Sequence, residues 1–203
     1  MVFAATGAAG ADDGYRASIH SIDAATARTM IGISWRPGCP VPLSDLRRVR
    51  LTHWGFDGIR HQGELIVDKD VARGVVAVFH TLYSERFPIR MMQRVDRFHA
   101  DDNASMAADN TSAFNCRPIT GSATGFSVHS YGRAIDVNTL ENPYVKGTTV
   151  LPPAGEAFTN RANVRPGMIR HGDPVWRAFT AHGFDWGGDW KSLKDYQHFE
   201  API

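Results

Sequence analysis

The sequence predicts an α+β fold with a small, mainly antiparallel sheet and flanking helices. Three observations favour this class. Strand-like and helix-like segments are mixed without the βαβ rhythm of a parallel sheet. Residues 70–85 have the apolar periodicity of a helix, and Asp57-Gly58 separates two apolar runs, which is a hairpin signal. A chain of 203 residues with 43% hydrophobic and 21% charged content can also bury a sizeable core.

The N-terminal part of the chain divides into an arm and the start of a domain. Residues 1–20 are predicted as a flexible N-terminal arm, because their first half is rich in small residues and lacks an apolar pattern. Residues 21–203 are predicted as a single domain, in which 21–60 is an N-terminal extension packed on the core. Within this extension, 21–30 is predicted to form a short helix with a Ser or Asp cap.

A hairpin and a long helix follow. Residues 49–56 and 64–67 are predicted strands on either side of the Asp57-Gly58 turn. The helix over 70–85 ends before Pro88, which cannot continue it. Its apolar residues recur at helical spacing and form one face: Val71, Val75, Val78, Phe79, Leu82 and Tyr83.

The C-terminal half is predicted to consist of short elements joined by loops. Short strands are expected over 89–96, 112–119, 132–137 and 195–200. Loops are expected over 98–111, 141–172 and 185–190. Asp173-Pro174 predicts the start of a second helix, which Gly183 ends. Since long loops in compact domains are usually functional or mobile, the segment 141–172 is a candidate for shaping a binding site.

Charge and hydropathy exclude two classes of partner. The formal net charge is +1, so there is no basic excess to hold a nucleic-acid backbone. No uninterrupted apolar stretch approaches the roughly 18 residues of a membrane span. We therefore expect neither a nucleic-acid partner nor an integral membrane segment.

The chain has two cysteines, Cys39 and Cys116, too far apart for a CxxC motif. They are either two buried thiols of a cytosolic protein or one disulfide of an exported protein, and their spacing leaves both open. The first ten residues lack the basic start and apolar core of an intact signal peptide. They could begin a mature exported chain from which a signal has been removed.

The residues that carry chemistry concentrate in two segments. These are Ser127-x-His129-x-x-Gly132-x-Ala134-x-Asp136 and Asp195-x-x-His198. Two imidazoles and one carboxylate suit a catalytic zinc ion, which takes three protein ligands and keeps the fourth position for water. A further carboxylate is needed to accept the proton of that water and pass it to a leaving amine.

The predicted backbone places these groups where the chemistry needs them. Asp136 lies on a strand whose other face carries Ile135 and Val137 into the core, which leaves Asp136 on the metal-facing side. Asp195 and His198 are three residues apart, so they face the same way only if the chain turns between them.

This pattern resembles the VanY-like zinc peptidases, the D-alanyl-D-alanine carboxypeptidases and L-alanyl-D-glutamate endopeptidases that cut peptidoglycan stem peptides. The resemblance covers about residues 60 to 200. It implies a DD-peptidase/hedgehog-like fold with a zinc site in an open cleft, so that 21–203 would be a zinc peptidase domain. It also implies a peptidoglycan stem peptide as partner and an exported protein of the cell wall, periplasm or extracellular space. We expect it to act as a monomer.

Position by position, the resemblance implies a set of roles. His129, Asp136 and His198 would be the Zn²⁺ ligands, and Asp195 the catalytic base in place of the more common Glu. Arg117 would steady the substrate carbonyl and the developing oxyanion. Ser127 would support the site and substrate by hydrogen bonding. A bridge from Cys116 to Cys39 would then fix the strand that presents Arg117.

Several alternatives remain open from the sequence. D-Alanyl-D-alanine carboxypeptidase activity is preferred, with an L-alanyl-D-glutamate-type endopeptidase as the alternative, and a non-catalytic zinc-containing cell-wall-binding domain as a reading of another class. Co²⁺ or Mn²⁺ could also support activity. Glu200 is either an orienting partner of a ligand histidine or a solvated acid. Trp186 and Trp190 are expected in the core, and His171 is a surface residue that could reach a substrate.

Overall fold

A computed structural model describes residues 14–119 and 124–203. The strands of this part are β1 Ala17–Ser21, β2 Leu46–Trp54, β3 Arg60–Asp68, β4 Met91–Met92, β5 Asn110–Thr111, β6 Ala134–Asp136, β7 Tyr144–Lys146, β8 Thr149–Leu151, β9 Asp185–Trp186, β10 Lys194–Asp195 and β11 His198–Glu200. The α-helices are α1 Ala24–Met30, α2 Ala72–Ser84, α3 Asp102–Ala107 and α4 Pro174–Ala181. The α+β class is therefore confirmed.

The predicted hairpin is present and forms the main sheet. Strands β2 and β3 pair antiparallel, with Leu46 opposite Asp68 at one end and Trp54 opposite Arg60 next to the Asp57-Gly58 turn. Strand β1 adds to the outer edge of β2. Residues 17–20, which were predicted in the flexible arm, thus lie in a strand. Residues 1–13 of the arm lie outside the described residues.

The core lies between this sheet, α2 and the C-terminal elements. The predicted face of α2 is buried at Val75, Val78, Phe79 and Leu82. Phe79 contacts Phe179 of α4 edge to face, with the ring centroids 6.3 Å apart. Phe179 also stacks on Phe199 of β11 at 3.9 Å. The strand that carries His198 is thereby anchored in the core through its opposite face.

The sequence-based prediction of one small sheet is wrong in detail. The described residues form three separate three-stranded antiparallel sheets, β1-β2-β3, β10-β7-β8 and β6-β11-β9, and the short parallel pair β4-β5. The strand expected over 89–96 is reduced to β4, followed by a 3₁₀ turn at Val95–Phe98. Its backbone turns away after two residues, so it adds little to a sheet.

Two predicted loops contain regular structure. Helix α3 forms within 98–111, because the Asp101 side chain caps it by accepting from the Ala104 backbone N–H at 3.0 Å. The hairpin β7-β8 and a 3₁₀ turn, Pro153–Phe158, form within 141–172. This hairpin pairs through β7 with β10, the strand that ends in Asp195.

Cys39 and Cys116 form a disulfide with their Cα atoms 6.0 Å apart. The bridge lies in a second apolar cluster that includes Met30, Leu46 and Phe114. It joins the loop before β2 to the segment that enters the 127–136 motif. Within the described part of the chain, no helix combines the length and the apolarity that crossing a bilayer requires.

Candidate active site

His129 is presented by a short 3₁₀ turn, Val128–Tyr131. The Ser127 hydroxyl caps this turn by accepting a hydrogen bond from the His129 backbone N–H at 3.4 Å. The His129 Nδ1–H donates to the carbonyl of Ala113 at 2.6 Å. A carbonyl oxygen only accepts, so the proton of the neutral ring sits on Nδ1 and the Nε2 lone pair remains for a ligand.

Gly132 ends the same turn in the left-handed region, at φ +71°. A Cβ at this position would lie 2.6 Å from the backbone nitrogen of Asp68. The glycine therefore allows the motif to pack directly against the end of β3.

Asp136 and His198 face each other across an antiparallel strand pair. The register of β6 and β11 places them directly opposite, and opposite residues share one face of a sheet. His198 Nδ1 lies 3.0 Å from Asp136 Oδ1. Ile135 and Val137, which flank Asp136 in sequence, are fully buried on the other side. Asp136 thus lies on the side of the strand opposite Ile135 and Val137, as the sequence predicted.

These three side chains form one compact donor group. His129 Nε2 lies 3.2 Å from His198 Nδ1 and 3.2 Å from Asp136 Oδ2. Ligands bound to zinc at about 2.0–2.1 Å in a tetrahedron lie about 3.3–3.4 Å apart, so the observed spacing fits one such ion. Among the described residues, this is the group of His, Cys, Asp or Glu side chains that could hold a metal ion.

The charges around this group also favour a cation. Burial by itself raises the pKa of Asp136, but the adjacent His129 and His198 imidazoles hold that pKa well below its usual range. For His198, burial lowers the pKa, yet hydrogen bonds to Asp136 and Glu200 outweigh it and raise the pKa to about 10. Carboxylates thus dominate the site, and a divalent cation would offset them.

Glu200 holds the far side of the His198 ring. Its Oε2 lies 3.0 Å from His198 Nε2. The two residues alternate along β11 and share a face. Hydrogen bonding to His198 keeps the pKa of Glu200 below its ordinary value. The contact favours a proton on Nε2 and leaves Nδ1 directed at Asp136 and His129, so Glu200 is the orienting partner and not a solvated acid.

Asp195 reaches the same cleft from another sheet. It ends β10, and the chain turns through Tyr196 and Gln197 before His198 begins β11. Asp195 Oδ1 is buried and has no hydrogen-bond partner in the described part of the protein. Burial raises the pKa of Asp195 to about 6. A carboxyl group of this kind can gain and lose a proton near neutral pH.

Gly187 makes room for Asp195. A Cβ at Gly187 would lie 2.6 Å from the Asp195 carbonyl oxygen and 2.8 Å from the Asp195 Cβ. The Trp186-Gly187-Gly188 segment therefore packs against the backbone that presents this carboxylate. The Trp186 indole N–H donates to the Tyr196 carbonyl at 2.9 Å and fixes the turn from the other side.

Arg117 and Ser127 also line the cleft. Arg117 Nη2 lies 2.8 Å from Asp102 Oδ2 at the start of α3. The Arg117 backbone N–H donates to the Ser130 hydroxyl at 2.9 Å, next to the His129 turn. Asp102, an acidic partner that the sequence did not suggest, thus holds the guanidinium in the cleft that His129, Asp136 and His198 also line.

The cleft has a volume of about 600 Å³, in the range of sites for small ligands. It brings together all six residues predicted for the site: Arg117, Ser127, His129, Asp136, Asp195 and His198. Tyr144, Lys146 and Leu151 of the β7-β8 hairpin add a wall that was predicted as loop. The aromatic and β-branched residues on either side of Gly147, in Tyr144–Lys146 and Thr149–Leu151, were the available signal for this hairpin.

The two tryptophans differ in position. Trp186 is buried in the core, as expected. Trp190 instead lines the cleft, with its ring 5.5 Å from the His198 ring, so its assignment to the core is wrong. His171 lies outside the cleft lining and pairs with Asp189 at 2.9 Å. It is therefore a surface residue.

Comparison with known proteins agrees with this site. Residues 120–201, less than half of the chain, match a family model described as D-alanyl-D-alanine carboxypeptidase. This segment is similar to the VanY-like peptidases. The VanY-like segment contains His129, Asp136, Asp195 and His198, and it supports a hydrolytic peptidase of the type that acts on peptidoglycan. No solved structure gives a significant match to the chain.

Proposed function

We propose that this protein is a zinc-dependent peptidase that hydrolyses a peptide bond in peptidoglycan stem peptides, as a D-alanyl-D-alanine carboxypeptidase. The observation that carries the proposal is the convergence of His129, Asp136 and His198 in one cleft with the buried carboxylate of Asp195. A purely structural zinc site would use a fourth protein ligand and would not need such a carboxylate.

In this proposal, His129 Nε2, His198 Nδ1 and one oxygen of Asp136 hold the zinc ion. When bound, zinc supplies Lewis acidity, which polarises a carbonyl and makes a water molecule more acidic. The chain contributes the orientation of the donors. The Ala113 carbonyl fixes the His129 ring, and Glu200 fixes the His198 ring.

Asp195 is the proposed general base. Its carboxylate accepts the proton of the attacking water while the water oxygen bonds to the scissile carbonyl carbon. The same proton then passes to the leaving nitrogen as the C–N bond breaks, so the carboxylate is regenerated. The buried, unpaired Oδ1 and the raised pKa of Asp195 support this role.

Arg117 is the proposed stabiliser of the oxyanion. Its positive charge lines the cleft, and its pairing with Asp102 limits the positions of the guanidinium. Fixed charges of this kind need little reorganisation when negative charge develops on the substrate. Ser127 contributes by holding the turn that presents His129.

An exported location fits this function. Peptidoglycan lies outside the cytoplasmic membrane, and the Cys39–Cys116 disulfide is typical of proteins in oxidising compartments. We therefore propose that the protein acts in the cell wall, the periplasm or the extracellular space.

The test is incubation of the purified protein with a muropeptide that ends in D-Ala-D-Ala, with product analysis by mass spectrometry. We expect loss of one terminal alanine, abolished by a chelator and restored by zinc. An internal cut would instead establish an endopeptidase with the same site. Zinc binding without cleavage of any stem peptide would overturn the peptidase proposal in favour of a binding domain.

A further inference from the structure

Most charged side chains that line the cleft form ion pairs with one another or with a neighbouring residue. Arg117 pairs with Asp102, and His129 and His198 surround Asp136. Glu200 pairs with His198. In the proposed function, Asp195 is the general base and needs no ion-pair partner. Lys146 remains as a cation of the cleft lining that forms no ion pair with another described residue.

The β7-β8 hairpin places Lys146 on the same face as Asp195, the proposed base. Strand β7 pairs Tyr144 with Asp195 of β10 and with Leu151 of β8. Directly opposite residues share a face, and so do residues two apart in a strand. Tyr144, Lys146, Leu151 and Asp195 thus project from one face, and all four line the cleft.

The spacing along β7 suits a short leaving group. Lys146 lies two residues, or about 6–7 Å, beyond the level of Asp195. If a single C-terminal residue is released, the substrate carboxylate lies about one residue length, roughly 3.5 Å, beyond the scissile bond. The flexible four-carbon stem of a lysine can place its ammonium over this interval.

We propose that Lys146 binds the terminal carboxylate of the substrate and thereby selects peptides with a free C-terminus. This inference rests on the proposed function and extends it from the reaction type to the substrate end that is recognised. An uncharged wall at this place would give a terminal carboxylate no advantage over the peptide group of an internal segment. A cation two residues beyond Asp195 on the same face favours the carboxylate by a charge-assisted contact.

The test compares a D-Ala-D-Ala-terminated pentapeptide with the same peptide amidated at its C-terminus. The amide keeps every internal side-chain carboxylate, so the comparison isolates the terminal one. We expect the wild-type protein to prefer the acid. Lys146→Gln should raise KM for the acid about 10- to 100-fold with little change in kcat, and the preference should disappear. Lys146→Arg keeps the positive charge and should retain most of the preference for the acid over the amide.

The matched control is Lys191→Gln, which removes the same charge from an exposed lysine outside the cleft lining. It should leave the acid-to-amide ratio unchanged. An unaltered ratio in Lys146→Gln would overturn the inference while leaving the peptidase proposal intact. Circular dichroism of each variant checks folding.

A binding measurement separates the two proposals. Calorimetry of the zinc-loaded protein with the dipeptide D-Ala-D-Ala, as acid and as amide, needs no turnover. Binding that favours the acid and depends on Lys146 supports the inference even if no peptide is cleaved, in which case only the peptidase proposal fails. Equal binding of acid and amide by the wild-type protein would overturn the carboxylate assignment.

Discussion

At the residue scale, the site depends on the hydrogen bond that orients each imidazole ring. His129 is fixed by a backbone carbonyl, and His198 by the carboxylate of Glu200. The motif predicted the three donors, because their residue types and spacing suit zinc. It left the role of Glu200 open, because only the strand pairing shows that Glu200 and His198 share a face.

Replacement of Glu200 tests this support. Glu200→Ala should weaken zinc affinity about 10- to 100-fold, because the His198 ring loses the partner that fixes its tautomer. Glu200→Gln keeps an acceptor oxygen and should retain most of the affinity. Competition with a chromophoric chelator measures both. The exposed Glu85→Ala serves as control, and equal affinity of Glu200→Ala and wild type would contradict the orienting role.

Replacing a proposed zinc ligand and replacing the proposed base should have different effects on zinc binding. His129→Ala and His198→Ala should lose both zinc and activity, because each removes a donor. Asp195→Asn should keep zinc and lose about 10²- to 10⁴-fold in kcat, the usual contribution of a general base. Metal analysis and steady-state kinetics distinguish the two classes. Asp57→Asn, remote on the hairpin turn, is the control. Near-normal turnover in Asp195→Asn would exclude Asp195 as the base.

At the element scale, long periodic segments were predictable and short ones were not. Helix α2 and the β2-β3 hairpin repeat their apolar pattern often enough to be recognised. The strands β7 and β8 have three residues each. They pair with each other, and β7 also pairs with β10, which is distant in sequence. The sequence made 141–172 a candidate for shaping the site, but the signal for the hairpin was too short to be recognised, and the position of Lys146 was therefore not predicted.

The disulfide acts on the element that carries Arg117. It closes a loop across 77 positions, for which chain entropy predicts about 4 kcal/mol of stabilisation. The double variant Cys39→Ser/Cys116→Ser should therefore lower Tm by about 10 °C. Differential scanning calorimetry with and without reductant measures this. Reductant should lower the Tm of the wild type and leave that of the variant unchanged. An insensitive wild type would show that the bridge contributes little.

At the scale of the whole molecule, the described residues form several small sheets around two apolar clusters. Which sheet a short strand joins depends on contacts between distant segments, and no local pattern encodes them. Asp195 and His198 lie three residues apart yet belong to different sheets, and their convergence follows from the turn between β10 and β11. The residue types of the motif indicated that Asp195 and His198 act at one site. The arrangement of sheets that brings the two side chains together was not predictable from the sequence.

Global stability should depend on pH through a buried carboxyl pair. Burial raises the pKa of Glu141 to about 8, and the neighbouring Asp109 adds to the effect. Glu141 Oε2 and Asp109 Oδ2 are buried without hydrogen-bond partners among the described residues. The Arg90 Nε lies 3.7 Å from Asp109 Oδ2, and the Arg90 side chain is half exposed. A proton on Glu141 would satisfy both oxygens.

The sign follows from proton linkage. Between about pH 4.5 and pH 8 the folded protein keeps this proton and the unfolded chain does not, so the free energy of unfolding falls as pH rises. The loss should be on the order of 1–4 kcal/mol from pH 5 to pH 8.5. Glu141→Gln supplies a permanent N–H donor to Asp109, so its stability should change less over this range. Urea denaturation at pH 5.5, 7.0 and 8.5 measures the difference between the two proteins. Because all other titrating groups are common to both, parallel curves would mean that Glu141 is already ionised in the folded state.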